Sequence, residues 1–497
     1  MKKSILFLAV FVLTIFQSKA QCPTASFSIT DSTCSGTSVQ IQNNSIGSNL
    51  VYDWDFNSAD FDSLPTGDVI LSSVPGIPQS LGVDFELDNG NYYGFAVNTS
   101  GILTRFEFGN SLNNTPTVTS LGNLGIMASN VDLRLVYENG LWYAISNTLG
   151  NQVYRLEFGS SLTNTPTVTV LNISSALFNL PYYMCVKKIG VNYYAILCNY
   201  SGNNITVVDF GNTITNNTPN AFNIATPNTN PISATLTNDC GNIYANIGFA
   251  AGYAIVQIDF GSSITSTPVA ITSLNVNTAT AFRKLEMIND GKDFILLAQT
   301  IGGESLQQFN FGQHLNNLTP TVSYLGGFNT MASGYYTFSM HKFGSTFYGL
   351  ATNYDNGNLA KFKFNEVNPG TSFTSQLQAP SITFDHEGSY RISLIVTDTV
   401  TGLSNNIWDS IYVSELPSPG FITQGACEGS NVYLIDTTTL NIGSIVSHNW
   451  LLSTGASLTG DTVNFVFPSG GNYNVFLETT SAAGCTNSIS SVLNIAP

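Results

Sequence analysis

The densest group of potential metal ligands in the sequence is an acidic run that begins at residue 53. Its members carry hard oxygen atoms of the kind that calcium prefers, and they are Asp53, Asp55, Asn57, Asp60 and Asp62. The alternation of the first three places their side chains on one face of a strand. The run lacks the Gly and the closing Glu of an EF-hand loop, so a solvated junction between two domains is the alternative interpretation. Calcium is the one cofactor that the sequence suggests.

Catalytic motifs are missing from the sequence. It contains no G-x-S-x-G nucleophile turn, no H-E-x-x-H zinc motif and no sialidase-type Asp box, and none of its 7 cysteines forms C-x-x-C. The 4 histidines are scattered along the chain. We therefore expect no catalytic residue and no zinc site. Enzymes with a β-propeller, the fold that the repeats described below predict, assemble their sites from scattered residues. An extracellular hydrolase or lyase that acts on polysaccharides is therefore the alternative.

A phrase built around Phe-Gly recurs through most of the chain. It reads EFGNSLNNTPTV from Glu107, EFGSSLTNTPTV from Glu157, DFGNTITNNTPN from Asp209, DFGSSITSTPVA from Asp259 and NFGQHLNNLTPTV from Asn310. A degenerate copy begins at Asp55 and a closing half-copy at Lys363. The phenylalanines of successive copies are 50 to 53 residues apart. The chain therefore contains six repeat units of about 51 residues.

The pattern of turns and aromatic residues within each repeat unit predicts about four short antiparallel strands. An aromatic residue follows a turn that is often centred on Gly, as in DNGNYYG and ENGLWYA, and Asn-Gly is the strongest short hairpin signal. A second turn follows, as in NTSG, NTLG and NYSG. Four-stranded units at this period are typical of propeller blades. The sequence therefore predicts an all-β chain with a six-bladed β-propeller, whose first and last units share one closing sheet.

Two similar segments bracket the repeats. Near the N-terminus stands VYDWDF, followed far downstream by SITFDHEGSYRISLIVTD, and near the C-terminus stand SHNW and VNFVFPSGGNYNVFLETT. Trp54 and Phe384 of the first copy are separated by 330 residues, whereas Trp450 and Phe467 of the second are separated by 17. The excess corresponds to six repeat units. We therefore expect the repeats to be inserted into one loop of a small β domain, with an intact copy of that domain after it.

The first of these copies resembles a known family. The segments YDWDFN and ITFDHEGSYRISLIVTD resemble the PKD domain, whose pattern is Y-x-W-D-F-G-D-G followed by a G-x-Y-x-V-x-L-x-V strand. The resemblance departs at Asn57, where the family has Gly, and it is weaker in the second copy. It implies Ig-like β-sandwiches of extracellular proteins. The whole arrangement resembles PKD-repeat surface proteins that the type IX system of gliding bacteria exports.

The N-terminus has the pattern of a secretory signal peptide. Lys2 and Lys3 precede an apolar run over 5–16, and Ser18-Lys19-Ala20 follows as a cleavage site. An N-terminal membrane anchor and a lipoprotein at Cys22 are the alternatives. The predicted organisation is a signal peptide over 1–20, a discontinuous PKD-like domain over 21–56 plus 365–415, a six-bladed propeller over 57–364 and a second PKD-like domain over 416–497.

An exported chain permits disulfides, and the predicted domains suggest how the cysteines pair. The expected pairs are Cys427 with Cys485 inside the last domain, Cys34 with Cys22 in the first, and Cys185 with Cys198 across a hairpin turn of the third blade. Cys240 is then the odd thiol. Bridging Cys427 and Cys485 closes a loop of about 58 residues, which is worth roughly 4 kcal/mol on the chain-entropy model.

Ligand contacts are expected where the repeat is broken, because loops on a rigid scaffold carry function. The most divergent segments lie between the Thr-Pro phrase and the aromatic strand. Their aromatic residues are Phe178, Tyr182, Phe328 and Tyr335. These rings are suited to stacking on sugars or to anchoring a protein. The alternative is that the segments line the channel of the propeller and pack in its core.

Composition limits the partners. The net charge is −16 with 15 basic residues, which argues against nucleic acid and against anionic membrane surfaces. Charged residues make up only 9% of the chain, so amides and hydroxyls must supply the polar surface. We therefore predict a secreted or cell-surface protein that does not insert into the membrane after signal removal. Its expected function is non-catalytic binding or adhesion, in which the propeller presents loops to a glycan or a protein.

Overall fold

The structure is a computed structural model and describes residues 22–58, 61, 65–74, 77, 80–125, 127–251, 254–276, 281–301, 305–327, 335–364 and 373–497. The side chains of 68, 69, 326, 327, 335 and 336 lie outside this description. The predicted signal peptide lies outside it too. The described chain is all-β, as predicted, and its one helical segment is a short 3-10 turn at Ser175–Leu177. No described helix is long and apolar enough to cross a bilayer.

The strands before the repeats are β1 (Phe27–Ser28), β2 (Ser32–Cys34), β3 (Ser38–Gln40), β4 (Gln42–Asn43), β5 (Leu50–Asp55) and β6 (Thr66–Leu71). The repeats then form successive antiparallel sheets of four strands. Sheets 1 to 3 contain β7 (Ser80–Asp88), β8 (Asn91–Asn98), β9 (Leu103–Gly109) and β10 (Thr117–Gly122); β11 (Asn130–Glu138), β12 (Leu141–Thr148), β13 (Val153–Gly159) and β14 (Thr167–Val170); and β15 (Pro181–Ile189), β16 (Asn192–Asn199), β17 (Asn204–Gly211) and β18 (Asn220–Ala225).

Sheets 4 and 5 contain β19 (Pro231–Asp239), β20 (Asn242–Phe249), β21 (Ile255–Asp259) and β22 (Ala270–Ser273); and β23 (Phe282–Asn289), β24 (Phe294–Thr300), β25 (Ser305–Gly312) and β26 (Thr321–Gly327). Sheet 6 contains β27 (Tyr335–Phe343), β28 (Thr346–Asn353) and β29 (Leu359–Phe364), and its fourth strand is β6. Gly67 of β6 is paired with Phe362 of β29. The prediction that the first and last units share a sheet is therefore confirmed.

The first strands of the six sheets contact one another in chain order, and β27 returns to contact β7. Tight turns join each first strand to the second. In sheet 1 this turn is Asn89-Gly90 with φ of 49° and 78°, and in sheet 2 it is Asn139-Gly140 with φ of 51° and 84°. These left-handed pairs are the backbone that Asn-Gly hairpins favour, so the sequence signal corresponds to the observed turn.

Adjacent sheets bury apolar side chains between them, and this packing holds the repeats together. The cluster between sheets 1 and 2, for example, contains Phe95, Leu133, Leu156 and Phe158. Phe158 comes from the recurrent Phe-Gly phrase and is 2% exposed. The Phe of the phrase is therefore a core residue, and fully burying such a side chain contributes roughly 1.5–3 kcal/mol.

The strands on either side of the repeats pair with each other. β30 (Thr374–Ser375), β31 (Ser381–Thr383), β32 (Gly388–Asp398) and β33 (Ser404–Ser414) follow the repeats. One sheet has the order β2-β33-β32-β5-β30, and small sheets β1-β4 and β3-β31 complete a two-layered unit, here called the flanking unit. Trp54 of β5 pairs with Leu394 of β32. A chain interval of more than 300 residues thus leaves and re-enters one sheet.

The remaining strands form the C-terminal unit. They are β34 (Phe421–Gln424), β35 (Asn431–Asp436), β36 (Ile445–Leu452), β37 (Ser457–Thr459), β38 (Thr462–Val466), β39 (Gly471–Ser481) and β40 (Thr486–Ile495), in sheets β34-β35-β38 and β37-β36-β39-β40. The same kind of side-chain hydrogen bond occurs within the flanking unit and within the C-terminal unit. Tyr390 Oη donates to His386 O at 2.9 Å, and Tyr473 Oη donates to Ser469 O at 3.0 Å. This recurrence, a tyrosine corner, is typical of Ig-like sandwiches.

Candidate functional site

The acidic run that suggested calcium is only partly described. Asp55 is buried, and its carboxylate accepts from Ser345 Oγ at 2.6 Å and pairs with Lys342 Nζ at 2.9 Å. The backbone N–H of Asn57 donates to the same carboxylate at 3.1 Å. Asp53 is exposed, and Asp60 and Asp62 lie outside the described residues. Within the described part of the chain no group of three or more acidic, His or Cys side chains is arranged to hold a metal.

The predicted disulfides are wrong. Cys22 is bonded to Cys240, and Cys34 is bonded to Cys485. Cys427 is an exposed free thiol. The prediction failed because it paired cysteines within one unit, whereas both bonds connect different units. Cys485 lies against the end of β33, with its Sγ 4.0 Å from Ser414 O, and β2 with Cys34 pairs with that same strand end.

The predicted bond between Cys185 and Cys198 is also absent. Both thiols are free and buried in one apolar cluster. Cys185 pairs in register with Ile196 rather than with Cys198, so the two cysteines are one pleat apart along the sheet. Burial raises the pKa of the Cys185 thiol to about 11 and also raises that of Cys198. Both are therefore neutral core residues at physiological pH.

The first strands carry a cluster of ionisable side chains, here called the central charged layer. Its members are Asp84, Glu86, Asp132, Arg134, Lys284, Glu286 and His341. Lys284 Nζ lies 3.1 Å from Asp132 Oδ2, and both side chains are fully buried. Arg134 Nη1 lies 3.0 Å from Glu286 Oε1. Both pairs connect sheet 2 with sheet 5, which are three repeats apart in the chain.

The other part of the central charged layer connects sheet 6 with sheet 1. His341 Nε2 lies 2.7 Å from Asp84 Oδ1, and His341 Nδ1 lies 3.1 Å from Glu86 Oε1. Burial alone would lower the pKa of His341, but the charges and hydrogen bonds of these two carboxylates raise it to about 10. His341 is therefore a cation at neutral pH. Burial opposes ionisation of Asp84, yet the His341 charge holds the pKa of Asp84 below its ordinary value.

Further hydrogen bonds join the charged layer to neighbouring backbones. Leu135 N donates to Asp84 Oδ2 at 2.8 Å, and Met184 N donates to Asp132 Oδ2 at 3.0 Å. Each bond runs from one first strand to the next. A general acid needs a carboxyl pKa near the working pH, whereas the pKa of Asp84 is lowered, away from neutral pH. The layer is therefore suited to holding strands together, and part of it lines an open pocket of about 200 Å³.

A group of apolar side chains, here called the apolar layer, lies at the beginning of the first strands of sheets 1 to 4, whereas Arg283 occupies the equivalent register shift in sheet 5. It consists of the buried side chains of Leu81, Val131, Tyr183 and Ile232. Each lies near the beginning of its strand at a register shift, as between Ser80 and Gly82 in sheet 1. Such β-bulges redirect a side chain out of the normal alternation. The bulges explain why apolar groups occupy positions beside the polar ones.

The two ends of the six sheets have different surroundings. The turn face contains the turns between first and second strands, at 88–91, 138–141, 189–192, 239–242, 289–294 and 343–346. The loop face is the opposite end, where second strands turn into third strands and the connections between sheets lie. Because the strands alternate in direction, these two sets of loops are on opposite sides.

The flanking unit covers part of the turn face. Cys22 is bonded to Cys240, which lies in the turn of sheet 4. Asn406 Nδ2 donates to Gly291 O in the turn of sheet 5 at 3.2 Å. A Cβ on Gly291 would lie 2.3 Å from Ser393 Oγ, so this close approach requires glycine.

Charged side chains add to the same contact. Arg391 Nη2 lies 3.3 Å from Asp290 Oδ2, and Lys292 Nζ lies 5.0 Å from the centre of the Trp408 ring. The pair of Asp55 with Lys342, described above, also joins the flanking unit to sheet 6. Asp55 is therefore part of a junction between units, as in the alternative interpretation of the acidic run, but it is buried there rather than solvated.

The loop face carries half-buried aromatic and apolar side chains around the apolar layer. Those packed against it are Leu149, Tyr182, Tyr200, Ala250 and Tyr354. They come from sheets 2, 3, 4 and 6, so they surround the common centre. The rings of Tyr182 and Tyr200 are 5.4 Å apart with an interplanar angle of 43°. This group, here called the tyrosine patch, is the candidate binding surface.

Of the four predicted ligand-binding residues, Tyr182 is in the tyrosine patch. Phe178 is 5% exposed and packs in the core with Leu171 and Met184, so its predicted role in direct binding is wrong. The 3-10 turn that precedes it directs its ring inwards. Phe328 lies outside the described residues, as does the side chain of Tyr335, whose backbone begins β27.

Neither the central charged layer nor Tyr200 was predicted from the sequence. A signal for the layer was present, because VDFELD, VDLRLVYE, KLEMIND and TFSMHK alternate polar and apolar residues at the same distance from the turn. Such alternation shows that one face of the strand is polar. It does not show that these faces meet, because Lys284 and Asp132 are 152 residues apart. Tyr200 was not singled out because its turn, NYSG, matches the equivalent turns NTSG and NTLG of the other repeat units.

Searches for relatives found few informative matches. No family model matches the chain, and no curated protein matches it. Among solved structures it is similar to the PKD1 domain of Vibrio anguillarum Epp, with 20% identity over 17% of this chain and 96% of that chain and a TM-score of 0.16.

Larger parts of the chain are similar to two other structures. The Malassezia sympodialis allergen Mala s 1 matches with 13% identity over 62% of this chain and 98% of that chain, with a TM-score of 0.42. An exo-β-1,3-galactanase of Phanerochaete chrysosporium matches with 9% identity over 87% of this chain and 94% of that chain, with a TM-score of 0.36. At these values the likenesses carry no information about function.

Proposed function

We propose that this chain is an extracellular binding or adhesion protein that binds its ligand at the loop face of a six-bladed β-propeller. In this proposal the propeller spans 57–364, a PKD-like sandwich of 21–56 plus 365–415 carries it, and a second PKD-like sandwich of 416–497 follows. The carrying sandwich closes the ends of the propeller and covers part of its turn face. The tyrosine patch on the opposite face is the single observation that carries the function.

A recurrent contact between sheets supports the closed propeller. Arg105 Nη1 donates to Leu162 O at 3.3 Å, which joins sheet 1 to sheet 2. Lys361 Nζ donates to Leu112 O at 2.9 Å, which makes the equivalent contact from sheet 6 to sheet 1. Equivalent contacts run from sheet 2 to sheet 3 and from sheet 4 to sheet 5. A contact that repeats around the array and crosses from the last sheet to the first is what a ring requires.

The state of the ionisable groups favours binding over catalysis. A glycosidase needs two carboxyl groups on either side of the substrate, one of them protonated. The carboxylates of the central charged layer are paired with Arg134, Lys284 and His341 instead. These groups are therefore occupied in holding the sheets together.

The two disulfides support an extracellular location. Disulfides persist in oxidising compartments and are rare in the cytosol of mesophiles. Cys22–Cys240 and Cys34–Cys485 join the flanking unit to sheet 4 and to the C-terminal unit. Both bonds thus fix the relative positions of units, which suits a protein that works outside the cell.

The proposal is tested with the full chain on an array of immobilised extracellular polysaccharides and proteins, together with an assay for released reducing sugars. We expect binding without release of reducing ends. The variant Tyr182→Ala/Tyr200→Ala should lose binding, whereas Tyr324→Ala should keep it, because Tyr324 is 66% exposed on the outermost strand of sheet 5. Time-dependent release of sugars, or equal binding by the double variant, would contradict the proposal.

A further inference from the structure

We infer that the ligand of the tyrosine patch is an uncharged carbohydrate, which stacks on Tyr182 and Tyr200. This inference rests on the proposed function and adds the chemical class of the ligand. It depends on three features of the loop face: the paired rings, the rigid segment that holds them and the scarcity of charged residues in its described loops.

The rings of Tyr182 and Tyr200 lie beside each other at the loop face. Their centroids are 5.4 Å apart and the rings are tilted by 43°, so neither ring covers the other completely. Both side chains are half-buried, which leaves part of each ring surface at the loop face. The C–H faces of pyranose rings are apolar and flat, and aromatic side chains supply large contact area at low cost in conformational entropy.

The backbone that carries the rings is held on both sides. Tyr200 N donates to Leu180 O at 3.1 Å, in the segment that leads to Tyr182. Asn230 Nδ2 donates to Tyr200 O at 3.0 Å from the next connection. The turn with Tyr200 is thus bonded to the loops on either side of it, and a surface held in this way loses little entropy when it binds.

A single carbonyl group anchors the divergent segment before Tyr182. Leu177 O accepts hydrogen bonds from Asn199 Nδ2 at 3.1 Å, Thr206 Oγ1 at 3.0 Å and Asn223 Nδ2 at 3.0 Å. Asn199 and Thr206 are fully buried. The segment departs from the repeat, yet side chains of sheet 3 fix it in one conformation. Asn199 is therefore a positioning residue for the patch.

The described loops of the loop face carry little charge. Among their described residues Asp355 is the one charged residue, and these residues are 72–74, 98–102, 123–125, 127–129, 147–152, 171–180, 199–204, 226–230, 249–251, 274–276 and 353–358. Arg283 is half-buried at the beginning of β23, at the same end of the sheets. The rest of the polar groups of these loops are amides, hydroxyls and backbone. The net charge of the whole chain is −16, so these loops differ from the rest of the chain in carrying little charge. Amides and hydroxyls pair with neutral hydroxyl groups, whereas an acidic glycan requires Arg or Lys.

The experiment is isothermal titration of the full chain with neutral hexasaccharides (cello-, laminari-, manno- and xylohexaose) and with hexagalacturonate and chondroitin sulfate. We expect at least one neutral hexasaccharide to bind with a Kd that stays constant between 50 mM and 500 mM NaCl, because screening affects only charged contacts. Tyr200→Ala should weaken that binding about tenfold or more, Tyr200→Trp should retain it, and Tyr324→Ala should leave it unchanged.

Thermal melting identifies variants that fail to fold. If Tyr200→Ala fails to fold, Tyr200→Trp still tests the inference, because it preserves an aromatic ring at this position. Binding to the acidic glycans with strong salt dependence, or to a protein of the array but to no neutral sugar, would overturn the inference and leave the proposed binding function standing. If the wild-type chain binds neither sugars nor any component of the array, both proposals fail.

Discussion

Removing the buried cation of the central charged layer should destabilise the protein strongly. Lys284→Met keeps the length of the side chain and deletes its ammonium group, which lies 3.1 Å from Asp132 Oδ2 and 4.8 Å from the centre of the Tyr183 ring. The Asp132 carboxylate would stay buried, with Arg134 at 3.5 Å as its nearest remaining cation. Breaking one partner of a buried pair costs about 3–5 kcal/mol, because the other charge is left uncompensated.

The assay is urea denaturation of the full chain, with the free energy of unfolding compared between variants. Lys363→Met is the matched control, since Lys363 is a partly exposed residue of β29, and its effect should stay within about 0.5 kcal/mol. The double variant Asp132→Leu/Lys284→Met should recover part of the loss, because it removes the uncompensated Asp132 carboxylate but leaves Met184 N without its acceptor. A loss below about 1 kcal/mol for Lys284→Met would refute the buried pair.

Three further outcomes are expected. The pKa of His341 is raised from 6.5 to about 10, so the stabilisation from its interaction with Asp84 is full below pH 6.5 and is lost as the pH rises through 10. The free energy of unfolding of the wild type should therefore fall between pH 7 and 10 relative to that of His341→Gln, and parallel pH profiles of the two proteins would contradict this. Addition of EDTA should leave the melting temperature unchanged, because Lys342 already neutralises Asp55, and a fall of several degrees would indicate a structural metal. Phe178→Ala should cost about 3–5 kcal/mol in urea denaturation while binding per folded molecule is retained, and a loss of binding without a loss of stability would return Phe178 to the binding site.

The repeat architecture was predictable because local signals encode it. The spacing of the Phe-Gly phrase and the Asn-Gly turns specify each four-stranded sheet by short-range geometry. The shared sheet of β6 and β29 followed from the same count, since a degenerate first copy and a closing half-copy supply its strands. The two outer units, which the sequence predicted to be copies of one domain, each contain a tyrosine that donates to a carbonyl four residues upstream.

The central charged layer and the disulfides could not be predicted in the same way, because their residues come from different sheets or units and meet only in the folded chain. Cys240 stands at the left-handed turn position where sheets 1 and 2 have Asn, with φ of 51°, and nothing in that local pattern indicates that Cys22 reaches it. Phe178 was misassigned because a 3-10 turn, invisible in the composition of its segment, directs the ring into the core. Tyr200 became significant only when the fold placed it beside Tyr182.

Hydrogen–deuterium exchange of the unmodified full chain, with and without the neutral hexasaccharide that binds it, tests the central claim most directly. Backbone amides at 179–183 and 199–204 carry the tyrosine patch. Bound sugar should slow exchange in peptides that cover these two segments and leave the turn-face peptides over 189–192 and 239–242 unchanged. Protection confined to the turn face, or saturated binding with no protection at either tyrosine segment, would contradict the assignment of the loop face as the binding surface.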